Sequence, residues 1–522
     1  MTKPISASNL AALMTSPSLY AVFDVRERGE FNQCQIANAT SLPRSQIEFR
    51  IAQLVPNRKV PIVVYDEGGE RALLAAKTLV ELGYDDVSML DGGLKRWQSE
   101  GRATISGINV PSKAFGEKVH HERGIPEITP EELFRLQRRS AELMILDVRT
   151  PEEYGRFCIP GGVNVPGGEL VLWAEELQRK ANSTIVVNCA GRTRSIIGVA
   201  ALRRLGLTNV RALKNGTMGW LLAGFELETQ PGRKTPSVPL ASRDQATDLA
   251  LRIAEEERIP WMSARELSSV IGSTDMGADY LIDVRSECEY ETGHVTGSTN
   301  VPGGQAVQRA DDIVAVRNAR IIFVSNESAR AVMAAYWYRQ MGFPNVCVLQ
   351  GGLKAWSDSG GKFVRGVSAN LPMRFETAKQ AVRYVDAQVL DQRILDSSAL
   401  VLDVGTSVEF ETAHVPGAKW ISRGWIEIKL PDYFADRNQP IVVTCPDGRQ
   451  STLAARTLRE IGYTDVSVLH GGVRTWSAAG LPTDQGLEAR LVEPNDVVLS
   501  PSIRGTKQDM QRYLDWELKL ER

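Results

Sequence analysis

Apolar residues along this chain fall into short runs, and most runs are followed by a longer stretch with helical spacing. In the stretch from 143 to 222 the sequence Leu143–Val148 predicts a strand, and Thr150-Pro151-Glu152-Glu153 predicts a short helix with its cap and an N1 proline. The β-branched run Ile185–Asn188 predicts a second strand. Arg194–Leu205 then carries apolar residues at helical spacing and stops at Gly206, the expected C′ position. A further short strand, Val210–Leu213, leads through Asn215-Gly216 into a turn of helix carrying Trp220. Short apolar strands separated by helices predict an α/β fold with a parallel sheet covered by helices on both faces.

The same pattern is written four times. An aspartate ends an apolar run at Asp24, Asp147, Asp283 and Asp403. Counting 42 residues on from each reaches Asp66, Cys189, Ser325 and Cys445, and counting 59 reaches Gly83, Gly206, Gly342 and Gly462. Counting 73 reaches Trp97, Trp220, Trp356 and Trp476. A frame held four times without an insertion is a tandem repeat. The expected boundaries are 1–118, 119–230, a linker and helix at 231–258, 259–368, 369–485, and a tail at 486–522. Successive aspartates are 123, 136 and 120 residues apart. The longest interval holds the turn-rich Thr229–Pro236 and a charged helix candidate, Asp244–Arg258, and is read as the joint between two pairs of copies. In the tail, Gln508–Leu520 is expected to be helical and to pack back on the body. Copies two and three share the sequence NVPGG (164–168 and 300–304), whereas copies one and four carry Arg44 and Arg423 at the matching place. That difference points to inner and outer copies with different surroundings.

Composition narrows the function classes. The 522 residues are 43% hydrophobic and 24% charged, with a net charge of −2, which gives no reason to expect nucleic acid or an anionic membrane as partner. No apolar run is long enough to span a bilayer, and the N-terminus lacks the pattern of a signal peptide. Six cysteines without a CxxC pair and five histidines argue against a disulfide framework or a metal site, so neither metal nor cofactor is expected. A reducing cytoplasm is the expected setting.

Chemistry concentrates in the loop Asn188–Ser195, NCAGRTRS. A tight turn between a strand end and a helix start gathers backbone N–H groups around one point, and the helix dipole adds to their effect. Arg192 and Arg194 bring positive charge, so the loop suits an anionic sulfur, either a thiolate or a persulfide. No histidine lies in the loop. Sulfur transfer needs no base, whereas hydrolysis usually does. Arg71 and Arg330 occupy the position of Arg194 in the two copies without cysteine, which marks that arginine as partly structural, tying the helix start to the nearby strand-end Asp. Arg192 lacks such an echo in those copies and is expected to be the more direct substrate contact. Cys347 is expected in the core, Cys34, Cys158 and Cys288 to be unreactive, and the four tryptophans to be packing anchors.

The DVR motif that begins at Asp24, Asp147 and Asp283, HVPGA (His414–Ala418) with the looser CIPGG (Cys158–Gly162), the cysteine loop and the GG-x-x-x-W runs at 92–97, 351–356 and 471–476 resemble rhodanese domains, across roughly residues 5–485. The resemblance implies a sulfurtransferase. Its cysteine takes sulfane sulfur from thiosulfate or a similar donor as a persulfide, and cyanide or an acceptor thiol removes it in a ping-pong cycle. It implies small-molecule donor and acceptor partners, with a protein thiol as a further acceptor. In copy two the site residues so implied are Cys189 with Arg149, Arg156, Gly191, Arg192, Thr193, Arg194 and Ser195. In copy four they are Cys445 with Gly448 and Arg449. Copies one and three, with Asp66 and Ser325, are expected to be inactive. Copy four has Gly405 after its aspartate and Gln450 in its loop, both in place of arginine, and Asp447 offsets Arg449. A weaker catalyst, a site for another donor and a relay for sulfur all fit it. Two readings compete with the enzyme: a persulfide carrier or scaffold, and a cysteine-dependent phosphatase or arsenate reductase. The last is disfavoured, because only four residues separate Cys189 from Arg194 where the phosphatase pattern has five.

Overall fold

The computed structural model describes residues 3–139, 142–180, 182–233, 237–272, 279–366 and 371–520. Each repeat folds into a parallel sheet, and the strand order is the same each time. In copy two it is Val163–Asn164, Leu143–Asp147, Thr184–Asn188, Val210–Leu213, Glu127–Ile128. The strand that ends in the frame aspartate therefore lies beside the strand that leads into the loop Asn188–Ser195. Asn188 and Asp147 are register partners. The central strands are buried, as their uninterrupted apolar runs require.

The predicted elements lie close to their expected limits. Pro151–Arg156 is a helix capped by Thr150, with Glu153 completing a capping box. The helix after the cysteine loop is Thr193–Arg204, and Gly206 follows it with φ +97°. The frame tryptophans are buried anchors. Each indole N–H donates to the carbonyl six residues on: Ala103, Glu226, Lys362 and Pro482. Phe157–Cys158 pairs antiparallel with Glu228–Thr229, a small sheet that the repeat pattern did not predict.

The chain divides into two compact units, and these are not the pairs expected from the linker. One unit contains residues 1–108 and 369–498, hence copies one and four. The other contains 109–368 and 499–522, hence copies two and three with the end of the tail. The long interval is thus no joint between pairs. Its helix, Leu240–Glu256, packs inside the second unit against Ser328–Gln340. Residues 234–236 of the turn-rich segment lie outside the described residues. The expected boundary at 118 falls within the helix Val110–Glu122, which belongs to the second unit.

The motif difference between copies has its explanation here. In the first unit Arg44 bonds Glu427 (2.6 Å) and the Gly424 carbonyl, and Arg423 reciprocally bonds Glu48 and the Ser45 carbonyl. In the second unit the matching places are glycines, and the two backbone segments touch. A Cβ at Gly168 would lie 2.9 Å from the Gly303 Cα. Arg330 of copy three also reaches Glu169 of copy two at 3.0 Å.

Candidate active site

The frame position 42 residues beyond each aspartate sits at a strand end, in a loop whose amides converge. Copy one displays what that loop holds. The Asp66 carboxylate accepts N–H bonds from Gly68 (2.7 Å), Gly69 (2.9 Å) and Ala72 (3.0 Å). An anion at this position is thus bound by backbone amides alone. In copy three the Ser325 hydroxyl instead donates to the Glu327 carbonyl and accepts from the Ala331 amide at 3.3 Å. In copy four the Ser451 amide donates to the Cys445 Sγ at 3.4 Å, with the Ser451 hydroxyl at the same distance. Burial pushes the Cys445 thiol up, and the Ser451 hydroxyl and amide act against it. In copy two the Cys189 Sγ lies 3.5 Å from the Ser195 hydroxyl and is 2% exposed.

The double glycine of the closing motif aims this loop. Gly216 and Gly472 have φ of +56° and +66°, and a Cβ on either would overlap the carbonyl of Cys189 or Cys445. With no side chain there, the amides of Thr217 and Val473 bond those carbonyls at 2.9 and 3.0 Å. The short helix carrying Trp220 or Trp476 is thereby fastened to the back of its cysteine loop.

The arginines of copy two have partners other than an open site. Arg149 is buried against Asp147 (2.7 Å) and the Phe157 carbonyl (2.6 Å). Arg194 grips Glu153 with both terminal nitrogens, at 2.6 and 2.8 Å, and not the strand-end Asp that its position suggested. Burial alone would raise Glu153, but Arg194 outweighs it and holds the carboxyl at about 2. Arg192, expected to be the more direct substrate contact, is committed to carboxylates within the fold. It bonds Glu117 at 2.7 and 2.9 Å and reaches Glu127 and Asn215. Its lack of an echo in copies one and three reflects a tether specific to the helix Val110–Glu122. Arg156 is exposed at the end of its helix. In copy four Arg449 turns to Asp447 at 2.6 Å, as its neighbour in sequence suggested, and Gly448 opens the helix Arg449–Glu460 with φ +86°.

Three features escaped the sequence reading. The first is an arginine–glutamate tether repeated through copies one to three: Arg71 with Glu30, Arg194 with Glu153, Arg330 with Glu289. Its signal was present, since all four copies carry glutamate six residues after the frame aspartate. The second is the place where the expected tail helix packs: Lys507–Glu517 covers the loop of copy two. Tyr513 and Glu517 flank Gly191, and Thr193 donates to the Glu517 carboxylate at 2.7 Å. Burial raises the Glu517 carboxyl, with Lys113 acting against it. The third is a cavity of about 240 Å³ before Cys445, lined also by Glu27, Ser45 and Phe49 of copy one. The remaining cysteines behave as expected where the structure speaks. Burial pushes Cys158 and Cys347 up to about 11. Among the described residues no cluster of His, Cys, Asp or Glu is arranged to hold a metal ion, and no helix is long and apolar enough to cross a membrane.

Comparison with known proteins adds to this geometry. A family model, the rhodanese-like domain, matches residues 6–100, 129–223, 263–359 and 386–479. The crystal structure of a thiosulfate sulfurtransferase from Pseudomonas aeruginosa is similar over 99% of this chain and 97% of its own, with 36% identity and a TM-score of 0.91. The thiosulfate sulfurtransferase GlpE of Stutzerimonas stutzeri is 30% identical over 83 residues, 16% of this chain and 72% of that protein. The Bacillus subtilis protein YrkF is 35% identical over 82 residues, 16% of this chain, and the match spans only 43% of its length.

Proposed function

Because this chain belongs to the rhodanese-like domain family, with four copies in tandem, we propose that it is a sulfurtransferase that carries sulfane sulfur on a cysteine. The cysteine thiolate attacks the outer sulfur of thiosulfate. A Cys–S–S bond forms, the S–S bond of thiosulfate breaks, and sulfite leaves with the electron pair. Cyanide or an acceptor thiol then takes the sulfur, restoring the thiolate and closing a ping-pong cycle. No proton needs to move at the sulfur. The observation that carries the reading is the nest around Asp66: the same loop, with cysteine in that place, supplies amides to a thiolate or persulfide. The overall likeness to the Pseudomonas aeruginosa sulfurtransferase supports thiosulfate as donor.

Copies one and three have no sulfur at this position and act as supports. The arginines Arg149, Arg192 and Arg194 serve by holding the loop in shape, and Arg156 stays exposed. The phosphatase reading loses support because the loop arginine that would clamp a phosphate is committed to Glu153. A carrier role is favoured for Cys189 by its roof of Tyr513 and Glu517, which an anionic small molecule must pass.

Mass spectrometry after incubation with thiosulfate, on wild type, Cys189→Ala and Cys445→Ala, tests the reading. A gain of one sulfur on either cysteine peptide is expected, lost only in the matching variant. No gain on either peptide would reject thiosulfate as the donor. Loading at Cys189 with slow turnover to cyanide would favour the carrier.

A further inference from the structure

We propose that the cavity before Cys445 binds a small acceptor bearing an ammonium or guanidinium group, which stands in for two arginines that copy four alone has lost. The assignment rests on the sulfurtransferase reading for the fate of the sulfur, and on geometry for the binding.

In copies one to three the frame aspartate is paired with the arginine two residues on, and the glutamate of the next helix with the loop arginine. Copy four keeps both carboxylates and neither cation. Asp403 is buried and bonded only to the Gly405 amide at 2.8 Å. Glu409 is exposed and accepts from the Thr406 amide and hydroxyl at 2.9 and 2.8 Å, but has no cation; it lines the cavity with Gln450, whose amide is spent on Arg423 and the Ser45 carbonyl. Gly405 and Gln450 line the cavity where the longer side chains would stand.

Copy one adds negative charge from the opposite wall. Glu27 is 3% exposed; one carboxylate oxygen accepts from Ser422 at 2.7 Å, and the other is buried without a partner. Asp496 beside it accepts the Ser407 amide with one oxygen, and its other oxygen is buried and likewise unpartnered. Nearby cations are already committed: Arg423 to Glu48, Arg449 to Asp447, Arg71 to Glu30 and Glu67. The isolation of these acids shows in their titration, since burial pushes Glu27 and Asp403 each up to about 7. Buried carboxylates without partners are costly, and a cation is the ligand that relieves them. No cluster of the described residues is arranged for a metal ion, and the cation proposed is an organic one. About 240 Å³ lies below the ~300–1,000 Å³ of pockets for drug-sized ligands, so the acceptor is small.

An aminothiol meets these demands. Its ammonium rests among Glu27, Glu409 and Asp496, and its thiolate attacks the terminal sulfur of the Cys445 persulfide. A new S–S bond forms on the acceptor as the bond to Cys445 Sγ breaks, and Cys445 leaves with the electron pair as thiolate. Nothing is oxidised or reduced overall.

The test uses the full chain carrying Cys189→Ala and reads two quantities at the Cys445 peptide. The first is alkylation by neutral iodoacetamide with and without agmatine, at constant ionic strength. Agmatine should slow it by at least ~5-fold, acetate should not, and Glu27→Gln with Glu409→Gln should abolish the protection. The second is sulfur transfer from loaded Cys445, compared per thiolate. Cysteamine should exceed 2-mercaptoethanol by ~10-fold, and 3-mercaptopropionate should be slowest. Gln450→Arg, which supplies a guanidinium from within, should remove both effects in a chain that still folds. Equal alkylation with and without agmatine overturns the proposal, as does protection that survives both glutamine substitutions. Protection without sulfur loading keeps the cation site and rejects the sulfurtransferase reading at Cys445.

Discussion

Arg192 lies with its guanidinium against Glu117, both side chains buried, so that removing the arginine would strand a carboxylate away from water. Arg192→Ala should therefore cost about 3–5 kcal/mol of stability, read by calorimetry. Arg449→Ala, at an exposed pair, should stay within about 0.5 kcal/mol. The unpaired acid of copy four gives a second expectation. Asp403 titrates near 7 in the fold, because burial raises it and only a backbone amide offsets that. A carboxyl raised in this way adds stability below its unfolded pKa of about 3.9 and loses it as pH rises toward 7. Asp403→Asn should accordingly melt several °C above wild type at pH 8 and near it at pH 4. Equal melting at pH 8 would mean that the carboxylate is satisfied in solution. Cysteine positions were legible in the sequence because a frame pins them. The roles of the arginines were not, because a guanidinium that tethers a loop and one that binds substrate have the same spelling. Only the partner tells them apart, and Glu117 lies 75 residues from Arg192.

Strands and helices were readable where a repeat copied them four times, since an apolar run before a capped helix has one physical meaning. The tail helix Lys507–Glu517 was legible as a helix, but its place was not, because its partners Met218, Leu221 and Leu222 lie in another copy and share no periodicity with it. Its placement carries an expectation at this scale. A chain ending at residue 506 should expose Cys189, raising its alkylation by iodoacetamide roughly 10-fold while Cys445 changes little. An unchanged rate at Cys189 would mean that the helix does not limit access. The double glycines act at the same level. Gly216→Ala would strain a left-handed turn by about 1–2 kcal/mol and push the helix from the Cys189 carbonyl.

At the scale of the whole molecule, the interval lengths suggested one pairing of the copies while the glycine and arginine echoes at 44, 167, 303 and 423 held the other. The echoes were the better guide, because contact chemistry constrains a surface and linker length does not. Arg423→Ala should loosen the pairing of copies one and four through Glu48. Hydrogen exchange should then rise in 44–54 and 419–433, with the segment around Cys189 unaffected. The pairing of copy one with copy four also has a bearing on how the protein is made. Copy one leaves the ribosome well before the chain that will cover Arg44 and Glu48 exists. At ~5–20 residues per second, that gap lasts roughly 20–80 s. Copies two and three are neighbours in synthesis and can close on each other as they emerge. Copy one must therefore keep its charged face in water until copy four arrives, a task for which arginine and glutamate are better suited than the bare glycines of copies two and three.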